Sequence, residues 1–226
     1  ISAAIALLNF VWVKLRFAES LPAEKRGQGL HRSPIARLRE KLSPAIAKTN
    51  RTYFVFMFAF AGMEFTLTFL GANRFGFTPI QNAWMMVFVG FILVLVQGGL
   101  VRRLAPKLGE RRVATAGLAL VSVGLVILAI APSVSILYLG LGFMAFGMGL
   151  CSPTLTSMVS LFASESEQGR ALGAFRSIGS LARAIGPILA CFVFWWFGST
   201  LLYIAGAAIT AIAVILCTRI PNPVKE

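Results

Sequence analysis

Val101-Arg102-Arg103-Leu104-Ala105-Pro106-Lys107-Leu108-Gly109-Glu110-Arg111-Arg112 packs five basic side chains into a gap between two apolar runs, 83–101 and 113–131. Four more runs, 53–72, 135–162, 171–197 and 200–218, repeat the pattern along the chain. Nearly all are close to or above the roughly 20 residues that cross the hydrocarbon core of a bilayer. In lipid every backbone N–H and C=O must be satisfied within the segment, so such runs are helices or strands of a closed barrel. Continuous apolarity without alternation excludes the barrel. The reading is an all-α membrane protein with a six-helix transmembrane bundle over 53–219.

The gaps set the orientation, because Lys and Arg of short loops are retained on the cytoplasmic side. Ten basic residues lie in 14–52 and five in 101–112; Arg170, Arg219 and Lys225 raise that side to eighteen of the 21. The opposite side has Arg74 alone, and Arg176 and Arg183 fall inside a span. A multi-pass protein of a plasma or bacterial inner membrane follows, in contact with lipid, its connector and C-terminal tail (220–226) cytoplasmic. Topology thus accounts for the net charge of +13, with no nucleic-acid partner. Cys151, Cys191 and Cys217 sit in apolar runs without CxxC spacing, and His31 is the one histidine, so no disulfide, metal site or cofactor is expected.

Ile1 to Val13 is apolar but too short to span, and Lys14 and Arg16 follow it rather than precede it, unlike a secretory signal. Residues 1–18 read as the end of a truncated transmembrane helix, and 19–52 as a basic connector. Within the connector, Ser33 and Pro34 can start a short helix with Ile35, Leu38 and Leu42 on one side. That helix lies on headgroups or is a solvated linker.

Phe17-Ala18-Glu19-Ser20-Leu21-Pro22-Ala23-Glu24-Lys25-Arg26 resembles the exit from the sixth helix of major facilitator superfamily drug/proton antiporters. The stretch from Gly99 to Arg112 is similar to that family's G-x-L-x-D-R-x-G-R-R loop, in degenerate form: Arg102 replaces the first glycine and Pro106 the aspartate. Arg102, Arg103, Lys107, Gly109, Arg111 and Arg112 remain as a tight turn with cations, which contact helix C-termini or headgroups or serve only as a positive-inside anchor. Gly173-Ala174-Phe175-Arg176-Ser177-Ile178-Gly179-Ser180-Leu181-Ala182-Arg183-Ala184-Ile185-Gly186-Pro187 resembles the eleventh helix of the tetracycline-antiporter-like branch. There Gly173 and Gly186 allow close helix contact, and Pro187 interrupts the hydrogen-bond ladder. The resemblance implies the C-terminal half of a twelve-helix fold built from inverted three-helix repeats, alternating access around a midplane site. The N-terminal half would come from the same polypeptide or from a dimer mate.

Chemistry must come from polar groups that lipid rejects. Glu64 and Arg183 both fall near the midplane when depth is counted from the ends of their apolar runs. A charge there costs at least about 2.5 kcal/mol by insertion scales, so each needs a partner or water. Two roles fit them: Glu64 carries a proton that Arg183 tunes, or the two form a permanent bridge that locks helices. Arg176, two turns below Arg183, either snorkels to the surface or lines the inner mouth for an anionic substrate. Tyr138, Gly142, Gly149, Ser152 and Thr156 form a small and hydroxyl-bearing stripe, lining a cavity or packing helices. Phe60 and Thr68, with Phe56, Phe65 and Asn73, are further candidates for contact with an amphipathic ligand.

No P-loop, GxSxG or HExxH is found, so no enzyme is expected. The resemblance implies a secondary transporter of small organic molecules, proton-coupled and exporting. The alternatives are a non-transporting scaffold or receptor that keeps the fold, and a half-size transporter that dimerises.

Overall fold

A computed structural model describes residues 2–17 and 42–223. The connector helix expected from Ser33, most of the Phe17 to Arg26 motif and Lys225 lie outside the described residues. Helix α1 (Ser2–Arg16) belongs to the first of two units, and Lys14 and Arg16 occupy its last turn. The second unit, from Leu42 on, holds the transmembrane helices.

Helix α2 (Pro44–Phe75) starts nine residues before the apolar run that announced it. The Ser43 hydroxyl accepts from the Ile46 N–H at 3.3 Å, and Pro44 supplies the pre-set φ of a first turn. The expectation that 44–52 belongs to the connector is corrected by that cap. At the far end Gly76 takes φ 65, and the Phe77 N–H reaches back to the Gly71 carbonyl at 3.1 Å. Only a residue without a Cβ takes that turn freely. Thr78 and Gln81 then form a reciprocal cap with Pro79 at the first position of α3 (Pro79–Leu108).

Helix α3 widens to a π-helical turn at Val96–Leu100, around Gly98 and Gly99. It continues to Leu108, and α4 (Glu110–Ile130) begins two residues later. The expected motif loop is therefore not a loop: Arg102, Arg103 and Lys107 are helical, and Gly109, at φ 85, is the hinge between two helix ends. Helix α5 (Val134–Phe162) follows, capped by Ser133. The segment Gln168–Thr218 is helical throughout except at Gly198 (φ 85, ψ 163), where it turns back. It is two helices, α6 (168–197) and α7 (199–218). The second unit thus has six helices of membrane length among the described residues, as the apolar runs indicated.

Their order is set by close contacts. Helices α4 and α5 run antiparallel, with Gly117 against Gly147 and Gly124 against Gly140; a Cβ on Gly117 would sit 2.7 Å from the Gly147 carbonyl oxygen. The Ser122 hydroxyl of α4 donates to the Ala207 carbonyl of α7 at 2.9 Å. Helices α2 and α6 run parallel: Tyr53 stacks on Phe175 with ring centroids 3.9 Å apart, and Phe69 meets Phe194 further along. Among the described residues, the basic turn at Arg102–Arg112, Arg170 and Arg219 lie at one end of the bundle, and Arg74 lies at the other.

Candidate functional site

The wall made by α2 and α6 carries the charged residues at membrane depth. Its register is fixed by notches. Tyr53 fills the space over Gly179, where a Cβ would come within 2.6 Å of the ring, and Gly62 lies on Gly186 and Ala190. Counting from those contacts, Arg183 lies opposite about residue 57 of α2. Glu64 is some seven residues further along, roughly 10 Å at the helical rise.

This offset corrects the expected pairing. Glu64 and Arg183 form no ion pair, and neither has a hydrogen bond among the described residues; both side chains are exposed. The equal depth inferred from the run edges failed because α2 extends well beyond its apolar run at the basic end. Arg176 is also exposed and unpartnered on α6. Seven residues separate it from Arg183, which puts both guanidiniums on one face, two turns apart. Thr68, one turn beyond Glu64, is exposed on the same face of α2.

Other expected lining residues lie elsewhere. Phe60 is 5% exposed and packs in the core of this half. Gly149 is buried against the Val96 side chain of α3, a packing position. Tyr138 meets Phe88 edge-on, with centroids 5.1 Å apart, and borders an apolar groove of about 580 Å³ with Gly142, Leu120, Phe143 and Phe146. That groove lies between α3, α4 and α5, away from Arg183. Ser152 and Thr156 are half-buried, and the Thr156 hydroxyl is taken by the Ser152 carbonyl at 3.0 Å.

On α6, Gly186 makes the close contact with α2, since a Cβ there would approach the Phe58 carbonyl oxygen to 2.7 Å. Gly173 meets nothing within 4 Å among the described residues, which corrects its assignment to helix packing. Pro187 lies inside α6, and the non-helical φ and ψ that end that helix fall at Gly198, in the expected gap between the last two apolar runs. At the basic end Arg111 donates to the Ile220 carbonyl at 3.0 Å, just past the end of α7, where a cation opposes the helix dipole. Arg102, Arg103, Lys107 and Arg112 are exposed.

Two features were missed from the sequence. Arg74 donates to the carbonyls of Leu128 (3.2 Å) and Ala129 (2.9 Å) and to the hydroxyls of Ser199 (2.9 Å) and Thr200 (2.8 Å), tying α2 to α4 and α7. Its isolation on a side otherwise free of cations was the available signal. Asn50 and Asn82 are buried with side-chain oxygens that have no partner among the described residues, and Asn50 lies just before the first apolar run. No cluster of metal-ligating side chains occurs among the described residues.

Residues 100–226 match the model of the Major Facilitator Superfamily. The chain is 31% identical to mouse major facilitator superfamily domain-containing protein 10 over 246 residues, covering 100% of this chain and 54% of that protein. A tetracycline resistance protein, class D, from Salmonella ordonez is 27% identical over 65% of this chain and 40% of its own length. The crystal structure of a human organic anion transporter aligns with a TM-score of 0.85 and 27% identity, over 94% of this chain and 55% of that one. The chain thus spans about half the length of the relatives it matches.

Proposed function

The chain belongs to the major facilitator superfamily, a family of carriers and not of enzymes, and from that premise we propose that it is the C-terminal half of a secondary transporter for amphipathic organic anions. The basic end faces the cytoplasm in this reading, and the N-terminal half supplies the opposite wall of the pathway. The carrying observation is the pair Arg176 and Arg183, two exposed guanidiniums on one face of α6 with no carboxylate partner among the described residues. At membrane depth such charges are tolerated where they meet water, the other half or a permeant anion. A guanidinium gives a carboxylate or sulfonate two parallel hydrogen bonds. The human relative named as an organic anion transporter supports this substrate class.

Glu64 has a different part in the same cycle. It lies roughly 10 Å beyond Arg183, in line with the pathway and free of a bridge, so it takes up and releases the coupling proton. Export is the direction suggested by the tetracycline-resistance relatives. The complete protein in proteoliposomes, given a pH gradient and a fluorescent organic anion, tests the reading. Wild type accumulates the anion against its gradient, and Arg183→Gln raises KM for anions at least about tenfold, the loss of one charge-assisted contact, while a neutral analogue is unaffected. Equal KM values for the two proteins would contradict it.

A further inference from the structure

The charged face of α6 is written twice. Arg176-Ser177-Ile178-Gly179 recurs seven residues later as Arg183-Ala184-Ile185-Gly186. In both copies the glycine seats α2: a Cβ on Gly179 would come within 2.6 Å of the Tyr53 ring, and one on Gly186 within 2.7 Å of the Phe58 carbonyl oxygen. Each arginine precedes its notch by three residues, so the two guanidiniums leave the same edge of the α2 and α6 contact, about 10 Å apart along the axis. A long side chain on a helix leans toward the N-terminus and covers the turn before its own Cα. By that rule Arg183 covers Ser180, and Arg176 covers Gly173.

The two copies differ in what lies under the cation. Under Arg176 there is no side chain, and a Cβ on Gly173 would meet nothing within 4 Å among the described residues. Under Arg183 stands a hydroxyl. Ser180 is exposed and makes no hydrogen bond among the described residues. A helical hydroxyl commonly turns back to a carbonyl of the preceding turn, as those of Thr66, Thr154 and Thr210 do at 3.1, 2.7 and 2.8 Å. The Ser180 hydroxyl is left to donate outward, beside a guanidinium that has no carboxylate partner among the described residues.

We propose that Ser180 and Arg183 together form the oxyanion subsite of this face, the guanidinium giving two parallel hydrogen bonds and the Ser180 hydroxyl a third. Arg176, over a bare glycine, is a contact that the anion passes. The inference rests on the reading of this face as part of a transport pathway, and it names the station on it. Every group there donates, so the station takes a carboxylate or a sulfonate and rejects a cation. Ser180 is then a specificity-determining residue, because without its hydroxyl the two arginines offer an anion the same contacts.

The complete protein in proteoliposomes is given naphthalenesulfonate and naphthalenecarboxylate in turn, and initial rates are read by fluorescence. Ser180→Ala raises KM for both about tenfold, the loss of one hydrogen bond to a charged group, with kcat within about twofold. Ser180→Thr, which keeps the hydroxyl, keeps the wild-type KM. Adding Gly173→Ser to Ser180→Ala puts a hydroxyl under Arg176 and recovers the lost affinity, a rescue that a structural role of Ser180 would not give. The proposal is overturned by equal KM in wild type and Ser180→Ala, by a Ser180→Thr KM as high as that of Ser180→Ala, or by no recovery with Gly173→Ser. Loss of Ser180→Ala from the membrane would assign Ser180 to folding, which also overturns it. Wild type that moves neither probe would overturn the reading of the pathway and the subsite with it, whereas an active carrier indifferent to Ser180→Ala overturns the subsite alone.

Discussion

Arg74 and Glu64 lie ten residues apart on α2, and their surroundings could hardly differ more. The guanidinium of Arg74 is held by four oxygens from α4 and α7. The carboxylate of Glu64 has no partner among the described residues. The contrast extends to whole regions. The α4, α5 and α7 side is closed by glycine contacts and satisfied hydroxyls, whereas the face of α2 and α6 presents Glu64, Arg176 and Arg183 unpaired. In the proposed reading, a charge that serves folding has its partners within this half, and one that serves transport does not.

The largest effect sharpening this comparison belongs on the closed side. Gly147→Leu would push a side chain into the Gly117 carbonyl and the Val121 backbone. Overpacking of about 3 kcal/mol is expected, read as loss of folded protein from the membrane. Arg74→Ala comes next: removing charge-assisted bonds of about 1.5 to 3 kcal/mol each lowers the melting temperature, with transport per folded molecule retained. Glu64→Gln leaves the melting temperature within experimental scatter and abolishes flux driven by a pH gradient, since the amide cannot carry the proton. A drop in folded yield for this variant would break the comparison. Gly173→Ala is the smallest, a change within about 0.5 kcal/mol by thermal melting, because a Cβ there meets open space.

The helices were legible because runs near 20 residues, separated by charge, proline and glycine, leave few other foldings in lipid. Their ends were not. Lys48, Thr49, Asn50 and Arg51 carry no apolar signal, yet the Ser43 cap draws them into α2, and the Leu104 to Leu108 stretch stays helical despite Pro106. The same blindness displaced Glu64 from Arg183, because depth was counted from run edges while the register is set by Tyr53 in the notch of Gly179. Sidedness was equally hidden. In an all-apolar helix the sequence does not separate a core Phe60 from a lining position, nor a packed Gly149 from an open Gly142. Arg176 and Arg183 were legible as exceptional, since any cation within a span must be explained by water, ligand or a neighbour.

The account is tested most directly by measuring organic-anion flux per folded molecule in Arg183→Gln and Arg74→Ala of the complete protein, in the same proteoliposomes. The account predicts that Arg183→Gln loses at least about tenfold in flux at unchanged folded amount, whereas Arg74→Ala loses folded protein and keeps its flux per molecule. Arg183→Gln protein that is lost from the membrane, or that transports like wild type, would contradict it.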